Sequence, residues 1–384
     1  MKKSIVITVG TLLTALSVLF VSLAACTKTD KPIVETEVEQ GPPPTPEPVL
    51  EGFVIASISG STDQGETVVI TGNGFTTETN ATFLFTDFEN GSLGASVVSG
   101  ESGFAGDMHT VSKNYLYANE SPLTGTKAAR AAPDQTSFGD MYAILPDLEE
   151  CYVEFFYRYN IIDYTATDAP QIKHTRLTSG TGHTDAPFFG ITIQGGQPAP
   201  TMTFQYDTNT WPMRYSPFRM TNDGTWHRDT YYWKHSTPGN ADGMRFLRTS
   251  WGNQWTYSGS NFFATPDEWA EPLSMTRGAG VVNATFKRFY FPFYQRAQQS
   301  TILDINHVYI HNSLERVYLS TSPTATASID FQHVTCPTIS RTATGITFKS
   351  MIGCLPANDA VYLYVVNADN EMNEEGFLVR AASF

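Results

Sequence analysis

From position 52 to the C-terminus, apolar and polar residues alternate in short runs broken by Gly, Asn, Asp, Ser and Pro. Such period-two patterning, carried here mostly by aromatic and β-branched residues, marks half-buried strands. No long stretch repeats apolar residues at helical spacing, so the expected fold class is all-β. One short helix is expected over residues 265–277, where Thr265 caps, Pro266 suits the first turn, Glu268 stands three residues after the cap and Pro272 ends the run.

The first residues break the pattern. Lys2 and Lys3 precede an uncharged apolar run over residues 5–25 that ends Leu23-Ala24-Ala25-Cys26. This is a secretory signal with a small-residue cleavage site, and the Cys after the small pair resembles a bacterial lipoprotein signal. The resemblance implies cleavage of residues 1–25, acylation of Cys26 and, because Thr27 follows, a lipid anchor in the outer membrane of a Gram-negative cell envelope. Residues 26–51 read as a polar, Pro-rich tether that stays extended.

The whole chain has a net charge of −14, and loss of Lys2 and Lys3 leaves 22 basic against 38 acidic residues, or −16. That balance argues against nucleic acid as a partner. The exported compartment permits a disulfide. Cys336 and Cys354 are near enough in sequence to pair, though Cys151 leaves three pairings open.

Residues 65–75 run Gly-Glu-Thr-Val-Val-Ile-Thr-Gly-Asn-Gly-Phe, in which Gly72 and Gly74 permit a corner and Phe75 plugs a sandwich end. This resembles the opening strands of an IPT/TIG domain, a small immunoglobulin-like fold. Residues 338–380 resemble its later strands. The expectation is one discontinuous immunoglobulin-like domain, 52–86 and 324–384, with a larger domain inserted at 87–323.

The insert carries "DFENGSLG", "YVEFFYRY" (residues 152–159), "DGTWHRDTYYWKHS" (223–236) and "ILDINHVYIHNS" (302–313). These pieces resemble concanavalin A-like jelly rolls, whose curved face accepts extended polymers. On a strand from Trp226, one parity gives Trp226, Arg228, Thr230, Tyr232 and Lys234, mixing rings that stack on sugars with cations that pair with carboxylates. Together with Arg158, Lys173 and Thr175, the residues Trp226, Arg228, Tyr232 and Lys234 form the expected glycan-binding set.

Residues 171–176, Gln-Ile-Lys-His-Thr-Arg, are unusual for a strand in an all-β region. Neither parity is plain core, so the strand is expected to floor a polar groove beside the strand from Trp226. No Glu-x-Asp-x-Glu run supports hydrolysis by paired acids. Gln171-Ile172-Lys173 and Tyr232-Trp233-Lys234 are similar to segments of jelly-roll alginate lyases, but Lys173 stands where that family has His. The resemblance implies Gln171, Lys173 and Tyr232 as catalytic residues if the chain is a polysaccharide lyase acting by β-elimination on a uronate polymer. With the set incomplete, the leading expectation is a surface lipoprotein that binds a polysaccharide, a lyase being the alternative and a structural or adhesive envelope protein the second. His174 and His183 lack further ligands at metal spacing. No metal or other cofactor is implied, and a structural calcium in a loop is left open.

Overall fold

A computed structural model describes residues 54–76, 82–98, 107–111, 115–123, 125–131, 140–160, 172–182, 188–193, 201–205, 210–214, 224–249, 263–265, 268–274, 277–281, 284–291, 302–325 and 333–383. The signal, Cys26, the tether and Gln171 lie outside the described residues.

In chain order the strands are β1 (Val54–Ser59), β2 (Thr67–Asn73), β3 (Leu84–Thr86), β4 (Asp107–Val111), β5 (Tyr115–Ala118), β6 (Ala128–Ala131), β7 (Asp140–Leu148) and β8 (Glu150–Asn160). Then come β9 (Ile172–Thr178), β10 (Phe188–Ile193), β11 (Thr201–Gln205), β12 (Thr210–Arg214), β13 (Trp226–Lys234), β14 (Gly243–Thr249), β15 (Phe263–Thr265) and β16 (Glu268–Ser274). The last are β17 (Phe286–Tyr290), β18 (Ile302–His311), β19 (Arg316–Ser320), β20 (His333–Cys336), β21 (Thr338–Thr342), β22 (Gly345–Lys349), β23 (Val361–Val366) and β24 (Phe377–Arg380). Among the described residues the helical structure is one 3-10 turn, Ile352–Cys354. The protein is an all-β sandwich. Where a helix was expected over 265–277, the described residues 265 and 268–274 are the end of β15 and all of β16, because β14 supplies a ladder that pairs Leu247 with Trp269 and Phe246 with Ala270. Tertiary pairing outweighs the capping signals at Thr265 and Pro266.

The strands form three layers. A seven-stranded sheet, β12-β11-β10-β9-β17-β7-β4, packs on a nine-stranded sheet, β15-β16-β14-β13-β8-β18-β6-β5, with β3 also paired to β18. Between them lie Val153, Phe155, Tyr157, Tyr231, Trp233 and Ile305 from the larger sheet and Met141, Ala143, Leu177, Phe289 and Phe291 from the smaller. Each fully buried Phe contributes on the order of 1.5–3 kcal/mol. The other face of the nine-stranded sheet is covered too. Phe85, Tyr152, Tyr232 and Tyr309 pack with Val68, Ile70, Ile346 and Phe348 of the sheet β1-β2-β22-β21 and with Val317, Leu319, Val334 and Leu363 of the sheet β20-β19-β23-β24. Being covered on both sides accounts for the aromatic-rich sequence of β8, whose residues 151–157 are all buried.

Terminal segments meet in the small sheets: Val68 of β2 pairs with Phe348 of β22. β19 joins β20 and β23 although it precedes position 324. At the corner after β2, Gly74 has φ +81, and Phe75 is buried. Gly72 is required for a different reason, since a Cβ there would lie 2.0 Å from the Val54 carbonyl oxygen.

Candidate functional site

The strand that stood out in the sequence, β9, lies in the seven-stranded sheet between β10 and β17. The strand from Trp226, β13, lies in the other sheet between β8 and β14. The two are therefore not neighbours in one groove, and they meet only through the sandwich interior.

β9 also departs from strict alternation. Thr175 pairs with Ile191 and Lys173 with the next residue, Thr192, so His174 is an extra residue in the ladder. Consistent with a bulge, the adjacent residues His174 and Thr175 are both fully buried and both face inward. His174 Nε2 lies 2.8 Å from Asp229 Oδ2 of β13. Its Nδ1 is 2.7 Å from the Tyr159 hydroxyl. Tyr231 donates to the same Asp229 oxygen at 2.6 Å, and the Thr175 hydroxyl lies beside that phenol. Burial raises the Asp229 carboxyl above the usual carboxylate range, against the opposing pull of His174.

The alternation resumes at Arg176, which faces away from the interior. Arg176 pairs with Gly190 on one side and Tyr290 on the other, and Tyr290 pairs with Tyr142. The same register continues to position 109 on β4 and to positions 203 and 212 on β11 and β12, so one row of paired positions crosses all seven strands. At a strand spacing near 4.8 Å that row is roughly 29 Å long. The Tyr142 and Tyr290 rings are 5.3 Å apart. The Arg288 guanidinium sits 4.5 Å from the Tyr142 ring centroid. Arg288 Nη1 and the Tyr290 hydroxyl both donate to the Thr181 carbonyl, at 2.7 and 2.6 Å. Gly190 clears space for Arg176: a Cβ at 190 would stand 2.4 Å from Arg176 Cδ and 2.6 Å from the Thr175 carbonyl. Arg176 is only 4% exposed, and burial brings its guanidinium down to about 10, so it remains cationic at neutral pH.

The residues expected to bind glycan are scattered by the fold. Arg228 is wholly buried on the covered face of β13, with Nη2 2.5 Å from Glu154 and Nη1 donating to the His333 carbonyl at 3.0 Å. Tyr232 is buried on the same face and donates to Glu150. These two are corrected from groove residues to a seam with the small sheets, because the face they share is the one that β19 and β20 cover. Thr175 is corrected likewise, since it shares the inward parity of Leu177. Lys234 is exposed at the end of β13, 3.9 Å from Glu150. Arg158 and Trp226 are brought together, with the guanidinium 5.2 Å from the ring centroid, but Arg158 is engaged by Asp304 at 2.5 Å and Glu120 at 3.1 Å. Of the residues named for catalysis, Lys173 and Tyr232 are on different sheets. Lys173 belongs by register to the alternation class of Arg176, two pairs further along β10. Cys336 and Cys354 are buried free thiols, as is Cys151; Cys354 Sγ lies 3.1 Å from His307 Nε2 rather than in a disulfide.

Arg176 lay in the run expected to floor a groove but was not named as a site residue, and Tyr142, Tyr290, Arg288 and Gly190 were absent from the sequence expectations. Their signal was the alternation of "MYAIL" and "RFYF" with one polar or tyrosine parity. Among the described residues, no group of three or more His, Cys, Asp or Glu side chains is placed to hold a metal ion.

The chain matches no protein-family model and no curated protein. Solved structures similar to it include the alginate lyase Aly36B with an alginate trisaccharide, 11% identical with TM-score 0.41, covering 60% of this chain and 98% of that one. Another is an endo-β-1,4-glucuronan lyase from the fungus Trichoderma reesei, 13% identical with TM-score 0.33, covering 62% and 95%. The receptor-binding domain of botulinum neurotoxin type G is 10% identical with TM-score 0.35, covering 79% and 80%.

Proposed function

We propose that the protein binds an extended, carboxylate-bearing polysaccharide along the outer face of the seven-stranded sheet. The observation that carries this reading is the row through Tyr142, Tyr290, Arg176 and Gly190, flanked by Arg288. Tyrosine faces stack on the apolar faces of pyranose rings; Tyr142 and Tyr290 are 9% and 4% exposed, so such stacking requires the row to open to the polymer. Guanidinium groups engage carboxylates through paired hydrogen bonds, and do so more strongly where water is excluded. Cations on this face also reconcile an acidic chain with an acidic polymer, since the overall negative charge governs distant repulsion and the row governs contact.

The chain's first residues support a lipid-anchored protein of the bacterial envelope, attached through Cys26 and spaced by residues 26–51. Residues 52–86 and 324–384 are read as an immunoglobulin-like unit supporting a jelly roll, a division motivated by the pairing of β2 with β22. Binding rather than lysis is preferred because Lys173 and Tyr232 stand on opposite sheets. Titration calorimetry with alginate, polygalacturonate and a neutral β-glucan tests the proposal. The acidic polymers should bind, with affinity falling at least tenfold in Arg176→Ala and Tyr290→Ala. Equal binding of the neutral glucan, or wild-type affinity in both variants, defeats it. Growth of unsaturated-uronate absorbance during the titration would make the protein a lyase after all.

A further inference from the structure

The inward contacts of His174 suggest a role for a group that no ligand can reach. In a regular strand, positions 173 and 176 differ by an odd number and face opposite sides. One extra residue between them reverses that relation, and a one-residue change of register flips every side chain beyond it. The ladder with β10 shows the reversal: Arg176 pairs with Gly190 and Lys173 with Thr192, two positions of one parity.

A bulge in a sheet interior needs something to hold the extra residue. Here the extra residue is a His, tied on both ring nitrogens, 2.7 Å from Tyr159 and 2.8 Å from Asp229. Both anchors sit on the opposing sheet, on β8 and β13, and Tyr231 fixes the carboxylate from beside it at 2.6 Å. Side chains of His174 and Asp229 are fully buried. The Tyr157 ring meets the imidazole edge-to-face with centroids 4.6 Å apart, and the Phe155 ring lies with its centroid 5.7 Å away. Dropping the bulge would withdraw the imidazole from the carboxylate and leave buried polar groups without their partners, a penalty of about 1–3 kcal/mol per group. The regular ladder is therefore excluded by the interior while the outer face gains two cationic positions on one side.

We propose that His174 and Asp229, with Tyr159 and Tyr231, are positioning residues that lock the β9 bulge and thereby set the register that puts position 173 in the same alternation class as Arg176. This rests on the outer face being the binding face, but the register itself is testable without any ligand. Lys173→Cys/Thr192→Cys reports the outer-face pairing by disulfide formation under mild oxidation, which demands neighbouring Cβ atoms on one face. The pair should cross-link readily in the parent chain and in His174→Gln, whose amide can still donate to Asp229 and accept from Tyr159. In His174→Leu the rate should drop at least tenfold, and alginate affinity should fall tenfold with it, while Gln restores both. If His174→Leu does not fold, His174→Leu/Asp229→Leu removes both partners together and should show the same slow cross-linking. No cross-link in the parent, or unchanged cross-linking in every Leu variant, overturns the proposal. Normal register with no polymer bound by the parent would sink the proposed function alone.

Discussion

Arg228 is where the fold departs furthest from a glycan-binding groove, and removing it measures the difference. Its guanidinium lies 2.5 Å from Glu154, with side-chain exposures of 1% and 5%. Glu154 also accepts from Thr335 at 2.6 Å and Tyr152 at 3.0 Å. Burial pushes the Glu154 carboxyl up, but Arg228, Thr335, Arg316 and Tyr152 together hold it below the usual range. In Arg228→Met the packing volume is largely kept while a buried carboxylate loses its nearest cation. Breaking a buried pair from one side costs about 3–5 kcal/mol. With a urea m-value of about 3 kcal/mol/M the midpoint should fall by roughly 1 M or more. Arg228→Met/Glu154→Gln should recover most of that loss, because no charge is then stranded. The sign with pH follows from the lowered carboxyl: the pair's contribution is present above the unfolded Glu value and disappears as pH falls through the folded one, so Arg228→Met should flatten the acid limb. Tryptophan fluorescence across urea series at pH 7 and 4 measures both. A midpoint shift below about 0.3 M with a loss of polysaccharide affinity would mean that Arg228 faces a ligand, and the three-layer account would fail.

Gly190→Ala should weaken acidic-polymer binding about tenfold, since a Cβ 2.4 Å from Arg176 Cδ and 2.6 Å from a backbone oxygen must displace the guanidinium at a cost of roughly 1–3 kcal/mol; calorimetry with alginate checks it. Tyr232→Phe should leave binding and any elimination unchanged while losing about 1 kcal/mol of stability with its bond to Glu150, as read by thermal melting. Burial lowers His307 and His235 to about 3, so the fold holds both neutral and the unfolded chain takes up the protons. Stability from these two should be complete above about pH 6.5 and decline as pH falls toward 3, and His307→Gln should shallow that decline in a pH series of melts. Burial raises all three described thiols, Cys336 to about 12, so none should react with a thiol reagent until the protein is unfolded.

The strand content was legible because period two survives in almost every run, and the corner at Gly74 and Phe75 was legible because a left-handed turn and a plugging ring leave local marks. What alternation does not encode is which parity meets which neighbour. In β13 one parity, Asp229, Tyr231 and Trp233, faces the opposing sheet, while the other, Arg228 and Tyr232, faces the small sheets. Both are buried, so a mix of cations and rings that resembles a sugar groove is instead an internal seam. In β9 the difficulty is sharper, because the parity itself changes at His174. A bulge whose anchors lie on other strands, at Tyr159 and Asp229, leaves no mark in a run of six residues. Once the bulge is included, the polar character of residues 174–176 separates cleanly: His174 and Thr175 belong to the interior network, and Arg176 belongs to the face with Tyr290 and Gly190. The cation that matters most for the proposed site is therefore the last residue of that run rather than its third.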